Sequence, residues 1–379
     1  MKTGTKMRNS NFELMRINSM LFIILFHVIL HGEVIDNCNN IILKDIFVFI
    51  KLFTLVHVNS FILLTGYFQN STSFKIHKLF KIIFQLFFYC ILIYIVLVLL
   101  KIEPFEKEDF IKTLLPSNIL FNSYWFIKYY IFLLFISPFL NIGIKNYTKK
   151  QFTHLLIVLF FLFAIIPTIF GYTSFETNGF CFYQFIYMYL IGVYLKKYPL
   201  KESYFMRRFS LKAYRLILLF IIFSTTFGGY LLYKTFVQLK GINSIIDFYS
   251  INISANVFCY NSILVVIQSI AYFCFFESLN IKNKLINIIS SLTIGVYLIH
   301  DNNFIKNHLY IWLKINNGPI YSYKFLLYVF LITIFIFVVC SIIEFIRQFI
   351  FKIISKIRLL DKINDKVVAF IDDVYIKDF

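Results

Sequence analysis

Charge is scarce in this sequence. Asp, Glu, Lys and Arg make up 15% of its 379 residues, against roughly 25% in a soluble globular domain. Acid is scarcer still, with 19 acidic residues against 37 basic ones and a net charge of +18. The few cysteines (Cys38, Cys90, Cys181, Cys259, Cys274 and Cys340) stand at no metal-ligand spacing, and most fall inside apolar runs. Neither a disulfide framework nor a cysteine metal site is expected from them. Glycine-rich phosphate loops of the Walker or dinucleotide-binding type are missing, so any nucleotide has to be held by side chains. Repeats and low-complexity tracts are missing too. So are the short alternating segments of a transmembrane β-barrel.

What the sequence does have is hydrocarbon. It is 60% hydrophobic, with 50 Phe and 26 Tyr, and its mean hydropathy is +0.77. Apolar runs of about 20 residues, the length of a membrane helix, recur roughly at 15–32, 46–67, 79–101, 122–141, 152–170, 179–196, 213–233, 253–276, 287–305 and 324–346. The expectation is an all-α, polytopic integral membrane bundle of about ten transmembrane helices. Residues 1–346 then form one membrane domain, and residues 347–379 a basic tail. Its start, "FIRQFIFKIISKIRLLDKI", alternates apolar and basic residues at the spacing of a helix lying on an inner leaflet. A plain basic flanking tail reads equally well. The basic N-terminus followed by an apolar run mimics a signal peptide. No small-residue cleavage site follows His31, so the run is read as a retained first helix.

In a soluble protein a charge of +18 would suggest nucleic acid, and here no nucleic-acid partner is expected. With both termini cytoplasmic, 26 of the 37 Lys and Arg residues fall on the inner side, as the positive-inside rule asks. The partner this charge implies is the lipid bilayer.

The first span, "RINSMLFIILFHVILHG", carries Arg16 at its cytoplasmic edge and His27 eleven residues on, about 16 Å along a helix. His31 follows one turn later. His57 in the second span and His300, followed by Asp301, in the ninth share His27's depth. A lone histidine in a bundle often only bonds one helix to another, and His57 is read that way. His300 fits either role. Arg16 alone reads as an interfacial anchor. His27 and His31 have the bare HxxxH spacing without a carboxylate base, and no metal is expected. Lys75, Lys78 and Lys81 in "FKIHKLFKI" recur every three residues. Singly they are ordinary inner-side charge; as a set they could meet a phosphate-rich ligand from the cytoplasm. Trp125, near the outer end of the fourth span, reads as an interfacial aromatic.

Four stretches, in order, resemble the acyltransferase-3 family of bacterial membrane acyltransferases. Arg16 and His27 match its first-helix motif of Arg, ten residues, then His. "VNSFILLTGYF" (58–68) is similar to its second-helix segment, with Thr65 in place of serine. "YWFIKYYIFLLFISPFLN" (124–141) is similar to its Trp-Phe to Ser-Pro helix, and "IGVYLIH" (294–300) to its Gly-x-Tyr-Leu-x-His segment. The resemblance covers nearly the whole chain. One departure stands out: the family's Arg-x-x-Arg after helix 2 is Lys78-Leu-Phe-Lys81 here, which keeps charge but not the guanidinium fork.

The resemblance implies a multi-pass O-acetyltransferase of the bacterial cytoplasmic membrane. It would move an acetyl or other short acyl group from cytoplasmic acyl-CoA to a hydroxyl of a surface polysaccharide or lipid-linked saccharide. No cofactor would be bound, acetyl-CoA being a substrate. His27 would be the general base, with Arg16 beside the donor. His300, Tyr297 and Trp125 would be supporting residues, and Lys75, Lys78 and Lys81 would bind the acyl-CoA. Direct transfer and a covalent acyl-histidine both remain open. The competing reading is a transporter or flippase of a lipid-linked glycan. Against it, the sequence shows no two-fold repeat and no Gly/Pro-broken helices in paired positions.

Overall fold

In hydrocarbon every backbone N–H and C=O must be satisfied within the protein, so apolar runs close into helices. A computed structural model describes residues 9–69, 76–115, 124–170, 179–242, 244–316 and 320–354. In chain order its helices are α1 Asn11–His31, α2 Ile41–Thr54, α3 Val56–Phe68, α4 Ile76–Leu99, α5 Lys107–Leu114 and α6 Trp125–Ile144. Next come α7 Lys149–Phe170, α8 Phe182–Lys197, α9 Leu211–Gln238, α10 Ser244–Asn256, α11 Ile263–Glu277, α12 Lys284–Ser290, α13 Thr293–His300, α14 Asn303–Trp312 and α15 Lys324–Ile354. The β-type pairing among the described residues is one isolated parallel bridge, Cys38 to Ile320. The all-α polytopic expectation holds. Among the described residues 7 helices are long and apolar enough to cross a membrane, α2 and α3 counting as one. The other three expected spans coincide with shorter helices: α8, α11, and the pair α12–α13. Helix α15 passes residue 346 without a break, and the rest of the expected tail, 355–379, lies outside the described residues.

Helix α1 is the hub. It packs against α2, α3, α11, α12, α13 and α15, and its start is tied to the α11–α12 connection. Ser10 N–H donates to the Ile281 carbonyl (2.7 Å), and Asn11 Nδ2 donates to that of Phe276 (2.8 Å). Helices α3 and α8 touch through glycine. A Cβ on Gly66 would collide with the Tyr189 carbonyl, and one on Gly192 with that of Leu63. This is the small-residue contact by which membrane helices approach closely.

Several helices are interrupted at depth without glycine or proline at the break, which corrects the expectation of unbroken spans. Between α2 and α3 the ladder breaks at Leu55, and the His57 ring bonds the Thr54 carbonyl (2.6 Å). The run expected at 253–276 is non-helical at 257–262. There the Tyr260 carbonyl accepts from Asn59 Nδ2 (2.8 Å) and Gln184 Nε2 (3.1 Å). Helix α13 ends at His300, and the Leu298 carbonyl accepts from the Tyr124 hydroxyl (2.7 Å). In each case a buried polar side chain takes over a hydrogen bond the broken ladder has lost. The same logic explains the Ser-Pro pair in α6. Pro138 cannot donate to the Leu134 carbonyl, and Ser137 Oγ donates to it instead (3.0 Å).

Candidate functional site

Glu13, Arg16, Met20, Ile23 and His27 all line one cavity of about 420 Å³. Their steps of three and four residues mark one face of α1. Arg16 and His27 are eleven residues apart, close to three full turns, so their spacing aims both at the same space. Helices α3, α4, α6, α12 and α13 supply the other walls.

At the Arg16 end the cavity is polar. Arg16 Nη1 donates to Glu13 Oε2 at 2.6 Å, and Ser290 Oγ donates to the same oxygen at 2.5 Å. Glu13 is buried. The carboxylate thus balances the guanidinium and fixes its direction. Glu13 was passed over in the sequence, yet the signal was there: an acid three residues before the only arginine of an apolar helix.

Three turns deeper, His27 meets a cluster built by the end of α13. His300 is fully buried, and its Nδ1 lies 2.7 Å from the Val296 carbonyl. A carbonyl only accepts, so that nitrogen carries the proton, and His300 Nε2 is left as an acceptor. His27 Nδ1 stands 3.2 Å from it and therefore donates. The proton of neutral His27 is on Nδ1, and the lone pair is on Nε2. No described residue hydrogen-bonds to Nε2. Asp301 Oδ1 lies 3.7 Å from His27 Nδ1 and 3.8 Å from Lys306 Nζ. The His31 ring packs on His27 with centroids 5.2 Å apart.

The donor atoms of His27, His31 and Asp301 lie within 4.8 Å of one another, a set that could hold a metal ion. One feature opposes a metal: the Lys306 ammonium already supplies a cation to Asp301.

His57 is bonded on both nitrogens, to the Thr54 carbonyl and to the Tyr260 hydroxyl (3.0 Å), as expected of a helix-to-helix partner. Trp125 and Tyr297 also line the cavity. The Trp125 ring stacks on Tyr260, centroids 5.8 Å apart. Tyr260 had no sequence signal, because it sits on a helix break that hydropathy reads as continuous. Lys81 is exposed and does not line the cavity, although its neighbours Leu79 and Ile82 do. Lys75 and the side chain of Lys78 lie outside the described residues.

His27 is half-buried against the cavity, one ring edge bonded and the other opening on it, which leaves bonding capacity for a ligand. A family model described as an acyltransferase domain, the acyltransferase-3 model, matches residues 9–345, and the chain belongs to that family. It is a multi-pass membrane protein of an acyltransferase class. No curated protein and no solved structure matches it.

Proposed function

We propose that this chain is an O-acetyltransferase that takes an acetyl or other short acyl group from cytoplasmic acyl-CoA and places it on a hydroxyl of a surface or lipid-linked saccharide. The observation that carries the reading is the shared face of α1: Arg16 and His27 open into one cavity, with Nε2 of His27 free to accept a proton.

A sugar hydroxyl is a poor nucleophile near neutral pH, and a positioned imidazole is the usual remedy. His27 Nε2 takes the hydroxyl proton while the oxygen attacks the thioester carbonyl. The C–O bond forms, the C–S bond breaks, and the departing sulfur takes the proton from His27 as free thiol. Arg16, held by Glu13, faces the donor arm nearer the cytoplasm. Lys75, Lys78 and Lys81 meet its phosphates outside the cavity. Trp125 and Tyr297 shape the wall beside the reacting carbonyl. The enzyme works in the bacterial cytoplasmic membrane, with both termini inside, and needs no bound cofactor.

The test is expression of the wild type and of His27→Ala with labelled acetyl-CoA, followed by assay of cell polysaccharide for base-labile acetyl ester. Ester in the wild type and none in the variant is the expected result. No ester on any glycan from the wild type would sink the proposal.

A further inference from the structure

The cluster behind His27 has a task of its own. His300 and Asp301 sit at the C-terminal end of α13 and outside the cavity wall, so they do not face the substrates. Both are buried, and both present acceptors to the same nitrogen, His27 Nδ1, at 3.2 Å and 3.7 Å. Two acceptors around one imidazole nitrogen admit a single tautomer. The Val296 carbonyl, one turn before His300, captures His300 Nδ1–H (2.7 Å) and thereby turns His300 Nε2 into an acceptor. We infer that His300 and Asp301 are positioning residues: His300 holds His27 in the Nδ1–H tautomer, and Asp301 balances the imidazolium formed in the acyl transfer. This rests on His27 being the base of the proposed reaction.

Proton transfer through His27 needs no further reactant. At rest His27 is neutral, and the nearest counter-charge to Asp301 is Lys306 at 3.8 Å. When Nε2 takes the hydroxyl proton, the ring becomes a cation whose Nδ1–H still points at His300 Nε2 and Asp301 Oδ1. The carboxylate then stands between two cations, the imidazolium and the ammonium, and stabilises the new one through space. When the leaving sulfur takes the proton from Nε2, the resting arrangement returns. Neither His300 nor Asp301 gains or loses a proton. An orienting group of this kind fixes which nitrogen is basic without touching substrate.

The local sequence supports the geometry. Helix α13 must end at His300 for Asp301 to turn back toward α1. Asn302 helps to end it: its side chain caps the first turn of α14 by accepting from Phe304 N–H (3.1 Å), and its Nδ2 donates to the Tyr124 hydroxyl (3.0 Å). Tyr124 in turn holds the Leu298 carbonyl. His300 and Asp301 are thus fixed from both sides by groups that lie outside the cavity.

The experiment uses full-length protein in lipid nanodiscs, labelled acetyl-CoA as donor and polysaccharide extracted from the expressing cell as acceptor. Four variants are compared with the wild type: His300→Phe, which removes the acceptor; His300→Gln, whose amide oxygen restores one; Asp301→Asn; and His27→Ala. His300→Phe should lower kcat about 100-fold and leave KM for acetyl-CoA within about twofold. His300→Gln should regain about tenfold of that, and Asp301→Asn should lose about tenfold. Nitrogen-15 NMR of the wild-type imidazoles should show His27 protonated on Nδ1, a readout that needs no variant to fold. The inference is overturned by a His27 protonated on Nε2, by a His300→Phe protein with wild-type kcat, or by equal losses in His300→Phe and His300→Gln. If His27→Ala itself retains full transfer, the base reading fails and the inference with it. If His27→Ala is inactive while the His300 and Asp301 variants are unimpaired, only the inference falls.

Discussion

Two buried polar clusters sit in this bundle, and they are built differently. Around Glu344 every oxygen is taken. Tyr89 hydroxyl donates to Oε2 (2.5 Å), Arg347 Nε to Oε2 (2.8 Å), Arg347 Nη2 to Oε1 (2.6 Å) and Gln348 Nε2 to Oε1 (2.7 Å). Gly295 packs directly on the carboxylate, and neither Glu344, Arg347 nor Tyr89 lines the cavity. Around His27 only one edge of the ring is bonded, and the residue lines the cavity. A saturated group in hydrocarbon joins helices; a half-saturated one beside a cavity keeps bonding capacity for something that arrives. Glu344 is fully buried and His27 half-buried, and the hydrogen bonds separate the two more sharply.

Substitutions in the two clusters should have opposite consequences. His27→Ala should lower acyl transfer about 1,000-fold and leave the thermal midpoint within about 2 °C, read by labelled ester and by unfolding in detergent. A large loss of folded protein instead would place His27 with Glu344. Glu344→Ala should do the reverse. It leaves half-buried Arg347 and the buried Tyr89 hydroxyl without their partner and destabilises the bundle by about 3–5 kcal/mol, seen as a lowered midpoint. Gly295→Ala should give a smaller loss of the same kind, about 1–3 kcal/mol, because its Cβ would meet the Glu344 carboxyl. Arg16→Lys sharpens the middle ground. It keeps the charge and loses the fork held by Glu13, so KM for acetyl-CoA should rise about tenfold, the cost of one lost charged hydrogen bond, while kcat changes less. The smallest effect belongs to Lys81→Ala. Its side chain is exposed, and one solvent-screened contact to a donor phosphate contributes little, so KM should rise only about twofold.

The helices were legible because hydropathy reports them directly. The Arg16–His27 pair was legible because an interval close to a whole number of turns is visible in one strand of text. The long-range partners at the site were not. Glu13 and Ser290 are 277 positions apart, and His27 and His300 are 273 apart. No periodicity joins such pairs. The breaks at Leu55 and at 257–262 were invisible for another reason: they use no glycine or proline and are sustained by His57, Asn59 and Gln184 from neighbouring helices. Gly66 and Gly295 were seen as motif letters, and their reason is steric: one lies against a backbone carbonyl and the other against a buried carboxylate.

The long reach of those contacts bears on how the protein is made. Helix α1 leaves the ribosome first, carrying Arg16 with Glu13 into the bilayer but His27 with none of its mates. Ser290 and His300 are translated 277 and 273 positions after Glu13 and His27, the residues they bond. Until they arrive, the first helix must wait in lipid or borrow a temporary companion, and the nascent chain holds an imidazole with no assigned tautomer. The site is therefore complete only once these late residues arrive, and a chain stalled before Ser290 would sit in the membrane without the partners that fix Glu13 and His27.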